Sequence, residues 1–140
     1  MNFGMFGAAC ALGLSAIGSS IGLAIAGQAT IGAWKRCYMN NKPAPFILVA
    51  FAGAPLTQTI YGFLLMSTML KSVKDSWFLL GVGVICGLAI GASAVAQGMA
   101  SASGSDALGE TGKGFSQYIT IVGLCETVAL FVMVFGLISV

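Results

Sequence analysis

The chain has 140 residues, of which 58% are hydrophobic and 7% charged, with a net charge of +2 and no histidine. A soluble domain carries about a quarter charged residues, so a water-soluble enzyme is excluded. The small positive balance, scattered along the chain, lacks the basic face of a nucleic-acid binder, and without histidine neither a Ser/His/Asp triad nor a histidine metal site can form. Any ion site must be built from oxygens.

Taken in chain order, the charges fall into three islands: Lys35, Arg36 and Lys42; then Lys71, Lys74 and Asp75; then Asp106, Glu110 and Lys113. They divide the chain into four apolar segments, about 3–34, 43–70, 76–101 and 115–140, each reaching the ~20 residues that span the hydrocarbon as a helix. The expected fold is an all-α membrane protein in which residues 1–70 form one transmembrane hairpin and 71–140 a second. Before Lys35 there is no Lys or Arg, so the positive start of a secretory signal peptide is missing and the first segment is expected to remain as a membrane helix. Cys10, Cys37, Cys86 and Cys125 have no CxxC or metal-ligand spacing and read as small buried hydrophobes.

The first connection carries three positive charges and no negative one, which places it in the cytoplasm with both termini outside. By alternation the third connection, 102–114, lies on the same side. Pro43 and Pro45 mark the start of the second helix. Pro55 lies inside it, where the missing N–H leaves the Phe51 carbonyl without its helical donor and should loosen the turn beside Thr57 and Gln58.

The halves resemble each other. Ala16-Ile17-Gly18-Ser19-Ser20 aligns with Ala89-Ile90-Gly91-Ala92-Ser93, and Leu56-Thr57-Gln58-Thr59 with Leu124-Cys125-Glu126-Thr127. Two tandem hairpins in the same orientation are therefore expected, unlike the inverted repeats of many transporters. The first segment carries small stripes, Gly18-Gly22-Ala26 and Gly7-Ala11-Ser15-Ser19, and the third carries Gly83-Gly87-Gly91. The second and fourth hold the bulkier Phe46, Phe51, Tyr61, Phe63, Tyr118, Phe131 and Phe135. Small-xxx-small stripes allow close helix approach in lipid, which fits the inner circle of a ring of hairpins and equally the contacts of a plain four-helix bundle.

Glu126 lies near the middle of the fourth segment, and no apolar segment contains a Lys or Arg to neutralise it. An intramembrane carboxylate is costly when charged and usually marks an ion or proton path. Thr57, Gln58 and Tyr61 on the second segment and Gln97 on the third supply hydroxyl and amide oxygens, the donors a hard cation prefers. Counted at ~1.5 Å per residue from the outer connection, Gln97 falls about two turns nearer the cytoplasm than Gln58 and Glu126. Either the third helix starts beyond the bilayer or tilts, or Gln97 is interfacial and Ser93 takes its place.

Together, Pro55-Leu56-Thr57-Gln58-Thr59-Ile60-Tyr61-Gly62-Phe63, Ala96-Gln97-Gly98 and Glu126-Thr127 resemble the proteolipid, or rotor-ring, component of rotary ATPases in its V-type double-hairpin form, often called the K or c subunit. The resemblance covers essentially the whole chain. It implies a homo-oligomeric ring, a non-catalytic role and no cofactor, with Na⁺ as the transported ion and H⁺ as the alternative. By resemblance to sodium-carrying members, the ion would be held by Glu126, Gln97, Gln58, Thr57 and the Ala54 backbone carbonyl, with Tyr61 hydrogen-bonding Glu126; this favours Gln97 over Ser93. Implied partners are copies of the chain, lipid, a stator membrane subunit with an essential arginine, and central-stalk subunits at the cytoplasmic loops 35–42 and 102–114. The implied location is a bacterial plasma membrane, and no nucleic acid is involved. Gln58 stands where Glu126 stands in the second half, leaving one carboxylate per four helices, a gearing that suits ATP-driven pumping. A small four-helix exporter of cations is a more distant alternative, although exporters of that kind carry their acid in the first helix.

Overall fold

The computed structural model describes residues 2–140. Four helices are long and apolar enough to cross a membrane: α1 (Phe3–Met39), α2 (Leu48–Met69), α3 (Ser76–Thr111) and α4 (Phe115–Ser139). Each end has a local cause. The Asn2 side chain accepts from the Gly4 and Met5 amides, and Asp75 from those of Trp77 and Phe78, satisfying donors that a helix N-terminus leaves free. At its other end α3 stops at Gly112, whose φ of 67° is the left-handed conformation glycine adopts at low cost.

Three helix ends differ from the sequence expectation. α1 runs on to Met39 rather than 34, α3 to Thr111 rather than 101, and α2 begins at Leu48 rather than 43. Charge does not terminate a helix, so Lys35, Arg36, Asp106 and Glu110 stay helical and the chain turns at Asn41, with φ 53°, and at Gly112 and Gly114. At ~1.5 Å per residue α1 and α3 are about 55 Å long, against ~30 Å of hydrocarbon. They therefore extend beyond the bilayer, and the salt bridge between Arg36 and Asp106 joins them at the charged end.

Within the bundle α1 and α3 are in the closest contact. A Cβ on Gly18 would fall onto the Gly91 backbone, and one on Gly83 onto the Gly7 carbonyl, so the small stripes are there because backbone meets backbone. The second stripe of α1 is shared: Gly7 meets α3, whereas Ser15 and the Ala11 carbonyl sit against Gly62 of α2. α2 packs against both α1 and α3, and α4 packs against α3 and α2. Trp34 Nε1 donates to the Pro45 carbonyl at 2.8 Å and ties the α1–α2 connection to α1. α4 leaves Leu124, Val128, Phe131 and Phe135 more than half exposed, a face suited to lipid.

Candidate functional site

The site begins at Pro55. It breaks α2 into Leu48–Gly53 and Thr57–Met69, joined by a 3₁₀ turn over Ala54–Leu56, the local loosening expected where proline removes a helical hydrogen bond. Thr57 Oγ1, at the end of that turn, lies 3.2 Å from both the Ala54 carbonyl and Gln58 Oε1. Gln58 is fully buried and donates through Nε2 to Gln97 Oε1 at 2.7 Å.

Gln97, 1% exposed, connects the three helices. Its Nε2 donates to the Val122 carbonyl at 3.0 Å and to Glu126 Oε2 at 3.2 Å. The other carboxylate oxygen, Oε1, accepts from the Tyr61 hydroxyl at 2.5 Å. Thus Glu126, half-buried, receives one donor from α2 and one from α3. Among the described residues no salt bridge reaches it; the ion pair present is Arg36–Asp106.

Gln97 joins the cluster although its backbone lies deeper by residue count. The cause is side-chain direction. Helical Cα–Cβ bonds tilt toward the helix N-terminus, so Gln97 reaches one way along the bundle while Gln58 and Glu126, on antiparallel helices, reach the other. Ser93 does not take its place: its Oγ donates to the Cys125 carbonyl at 2.7 Å. Ser93 and Gln97, one turn apart, thereby hold the α4 backbone at Cys125 and Val122, in the turn that leads into Glu126, a clamp the residue types alone did not signal.

The six residues Ala54, Thr57, Gln58, Tyr61, Gln97 and Glu126 converge on one place inside the membrane-spanning part of the bundle, with oxygens from a carboxylate, two hydroxyls, two amides and a backbone carbonyl. This arrangement and the four apolar helices define a membrane-spanning helical bundle with a half-buried carboxylate among polar side chains. Residues 80–139 match the family model of the ATP synthase C subunit. The A-type ATP synthase subunit K of Methanocaldococcus jannaschii is 33% identical over 131 residues, covering 91% of this chain and 57% of that relative. The chain therefore spans little more than half the length of the curated relative it matches. The likeness to the ATP synthase C-subunit family thus lies in its second pair of helices.

Proposed function

We propose that the chain is the ion-carrying rotor proteolipid of a rotary ATPase, and that the ion it carries on Glu126 is Na⁺. The observation that carries this reading is the Glu126 carboxylate, held at membrane depth by Tyr61 and Gln97 with Gln58, Thr57 and the Ala54 carbonyl beside it. Glu126 supplies the negative charge, and Thr57, Gln58 and the Ala54 carbonyl supply neutral oxygens. Gln97 contributes its Oε1 by turning its amide, which exchanges the N–H now on Glu126 for oxygen. Tyr61 holds the carboxylate in place.

The physical gate is desolvation. A bare carboxylate is expensive in lipid, so a site rotates away from the stator when it is loaded, and it discharges where a stator arginine offers competing positive charge. ATP hydrolysis belongs to other subunits, and this chain is non-catalytic. With Gln58 in place of a second carboxylate, one ion crosses per four helices, which favours ATP-driven pumping. We place the connections 40–47 and 112–114, with the charged helix ends, in the cytoplasm of a prokaryotic cell as the face for a central stalk.

Burial patterns support a ring of copies and a duplicated hairpin, 1–70 and 71–140. Laying Ser19 on Ser93, one residue out of step with the best sequence alignment, pairs Gly83, Gly87, Gly91, Ala94 and Gly98, all buried, with Ala9, Gly13, Ile17, Ser20 and Ala24, all exposed. Conversely Gly7, Ala11, Gly18 and Gly22 are buried, and their counterparts Gly81, Ile85, Ala92 and Ala96 are exposed. Each open face is the counterpart of a face that is covered inside the chain, so a neighbouring copy repeats the α1–α3 contact. A head-to-tail contact of this kind closes into a ring when the rotation permits.

A second reading, the same rotor carrying H⁺, is favoured by the Tyr61 hydroxyl 2.5 Å from Glu126 Oε1, since a phenol oxygen can also accept from the protonated acid. Carbodiimide modification, which attacks the protonated acid, separates them. Labelling confined to Glu126 and slowed by added Na⁺ is expected; labelling at Glu126 indifferent to Na⁺ assigns the rotor to protons, and absence of labelling there overturns the site.

A further inference from the structure

Directly behind the carboxylate cluster, the Ser101 hydroxyl of α3 is fully buried and has no hydrogen-bond partner among the described residues. Its neighbours on the same face of α3 are all engaged. Gln97, one turn before it, meets Gln58 of α2, and Ser105, one turn after it, bonds Thr30 of α1 at 2.8 Å. The adjacent Gly104 packs against the Phe51 ring of α2. Because α2 runs antiparallel to α3, and Gln97 meets Gln58 while Gly104 meets Phe51, Ser101 falls level with the 3₁₀ turn at Ala54–Leu56 between those two contacts.

That turn leaves an acceptor unsatisfied as well. Helical carbonyls point toward the helix C-terminus, and the Phe51 carbonyl, aimed at residue 55, meets a proline with no N–H to give. A buried hydroxyl on α3 and a carbonyl on α2 that its proline deprives of the helical donor thus lie at the same level of the bundle. Buried polar groups are paired with protein or with ordered water, and an ordered internal water takes two to four such partners.

We propose that the Ser101 hydroxyl and the Phe51 carbonyl hold one ordered water between α3 and α2, and that this water sets the position of the Ala54–Thr57 turn beneath the ion site. Ser101 is then a positioning residue, acting on the cation through the Ala54 carbonyl and Thr57. Its role in ion binding rests on the reading of the Glu126 cluster as a cation site; the water itself does not.

The test uses the full chain, assembled in lipid bilayers, in two measurements. Water-edited solid-state NMR is expected to show early magnetisation transfer from water to Ser101, well ahead of the buried apolar Ala94 beside Gln97. Binding of ²²Na⁺ to the Ser101→Ala variant is expected to weaken about tenfold, the scale of one lost hydrogen bond, without a rise in thermal midpoint, and Ser101→Thr, which keeps the hydroxyl, to restore it. Transfer at Ser101 no faster than at Ala94 overturns the water site, as does a Ser101→Ala protein that binds Na⁺ normally and melts higher, the signature of relieving an unpaired hydroxyl. If the unmodified protein binds no Na⁺, the reading of the cluster as a sodium site fails, while the transfer at Ser101 still decides the water.

Discussion

Tyr61→Phe is the most informative single substitution at the site. It removes one oxygen and nothing else, and that oxygen is the Tyr61 hydroxyl lying 2.5 Å from Glu126 Oε1. The ring keeps its place on α2 and Gln97 still donates to Oε2 at 3.2 Å. A hydrogen bond to a charged group contributes about 1.5–3 kcal/mol, and the half-buried setting of both residues puts this one near the lower end. The loss should therefore weaken cation binding about tenfold, since ~1.4 kcal/mol is a factor of ten. The assay is ²²Na⁺ binding to the assembled protein, with the carbodiimide labelling pattern as a control that Glu126 remains in place. A Tyr61→Phe protein with unaltered Na⁺ affinity would refute the claim that the hydroxyl holds the loaded carboxylate.

Other substitutions probe separate parts of the account. Glu126→Gln should abolish coupled ion transport in reconstituted vesicles while the oligomer still runs at full size in native electrophoresis. Gln97→Ala should lower Na⁺ affinity by tenfold or more, because it removes the amide oxygen that turns to the ion and the side chain that meets Gln58. Gly18→Leu should prevent assembly or stable insertion, since its side chain has backbone in its path at Gly91 and overpacking costs about 1–3 kcal/mol even where neighbours can move. Arg36→Ala, by contrast, breaks a solvent-exposed ion pair with Asp106 and should change the thermal midpoint little, exposed pairs contributing about 0–1 kcal/mol.

Much of this protein could be read from residue types. Glu126 stands out because nothing else charged lies within an apolar segment, and Pro55 announced the 3₁₀ turn because a missing N–H has one local consequence. The close approach of α1 and α3 followed from Gly18, Gly83 and Gly91, where no side chain stands between two backbones. What was not legible has equally physical causes. Helix ends could not be read from Lys35, Arg36, Asp106 and Glu110, since Lys, Arg and Glu are good helix formers and a single Asp is tolerated, so α1 and α3 simply run on out of the bilayer. The place of Gln97 could not be had by counting rise, because two long side chains on antiparallel helices reach toward each other. Ser93 and Ser101 have ordinary identities, and their importance comes from the carbonyls opposite them, which only the packed bundle brings near.

The central claim is that Glu126 carries a cation within a ring of these chains. Imaging the purified assembly in Na⁺ tests it most directly, at a resolution that shows side chains and bound ions. The account predicts a closed ring in which α1 of each copy packs on α3 of the next, with cation density enclosed by Glu126, Gln58, Gln97, Thr57 and the Ala54 carbonyl. A monomer or dimer, or a ring in which Gln97 still gives its N–H to Glu126 and no density lies between Glu126 and Gln58, would contradict it.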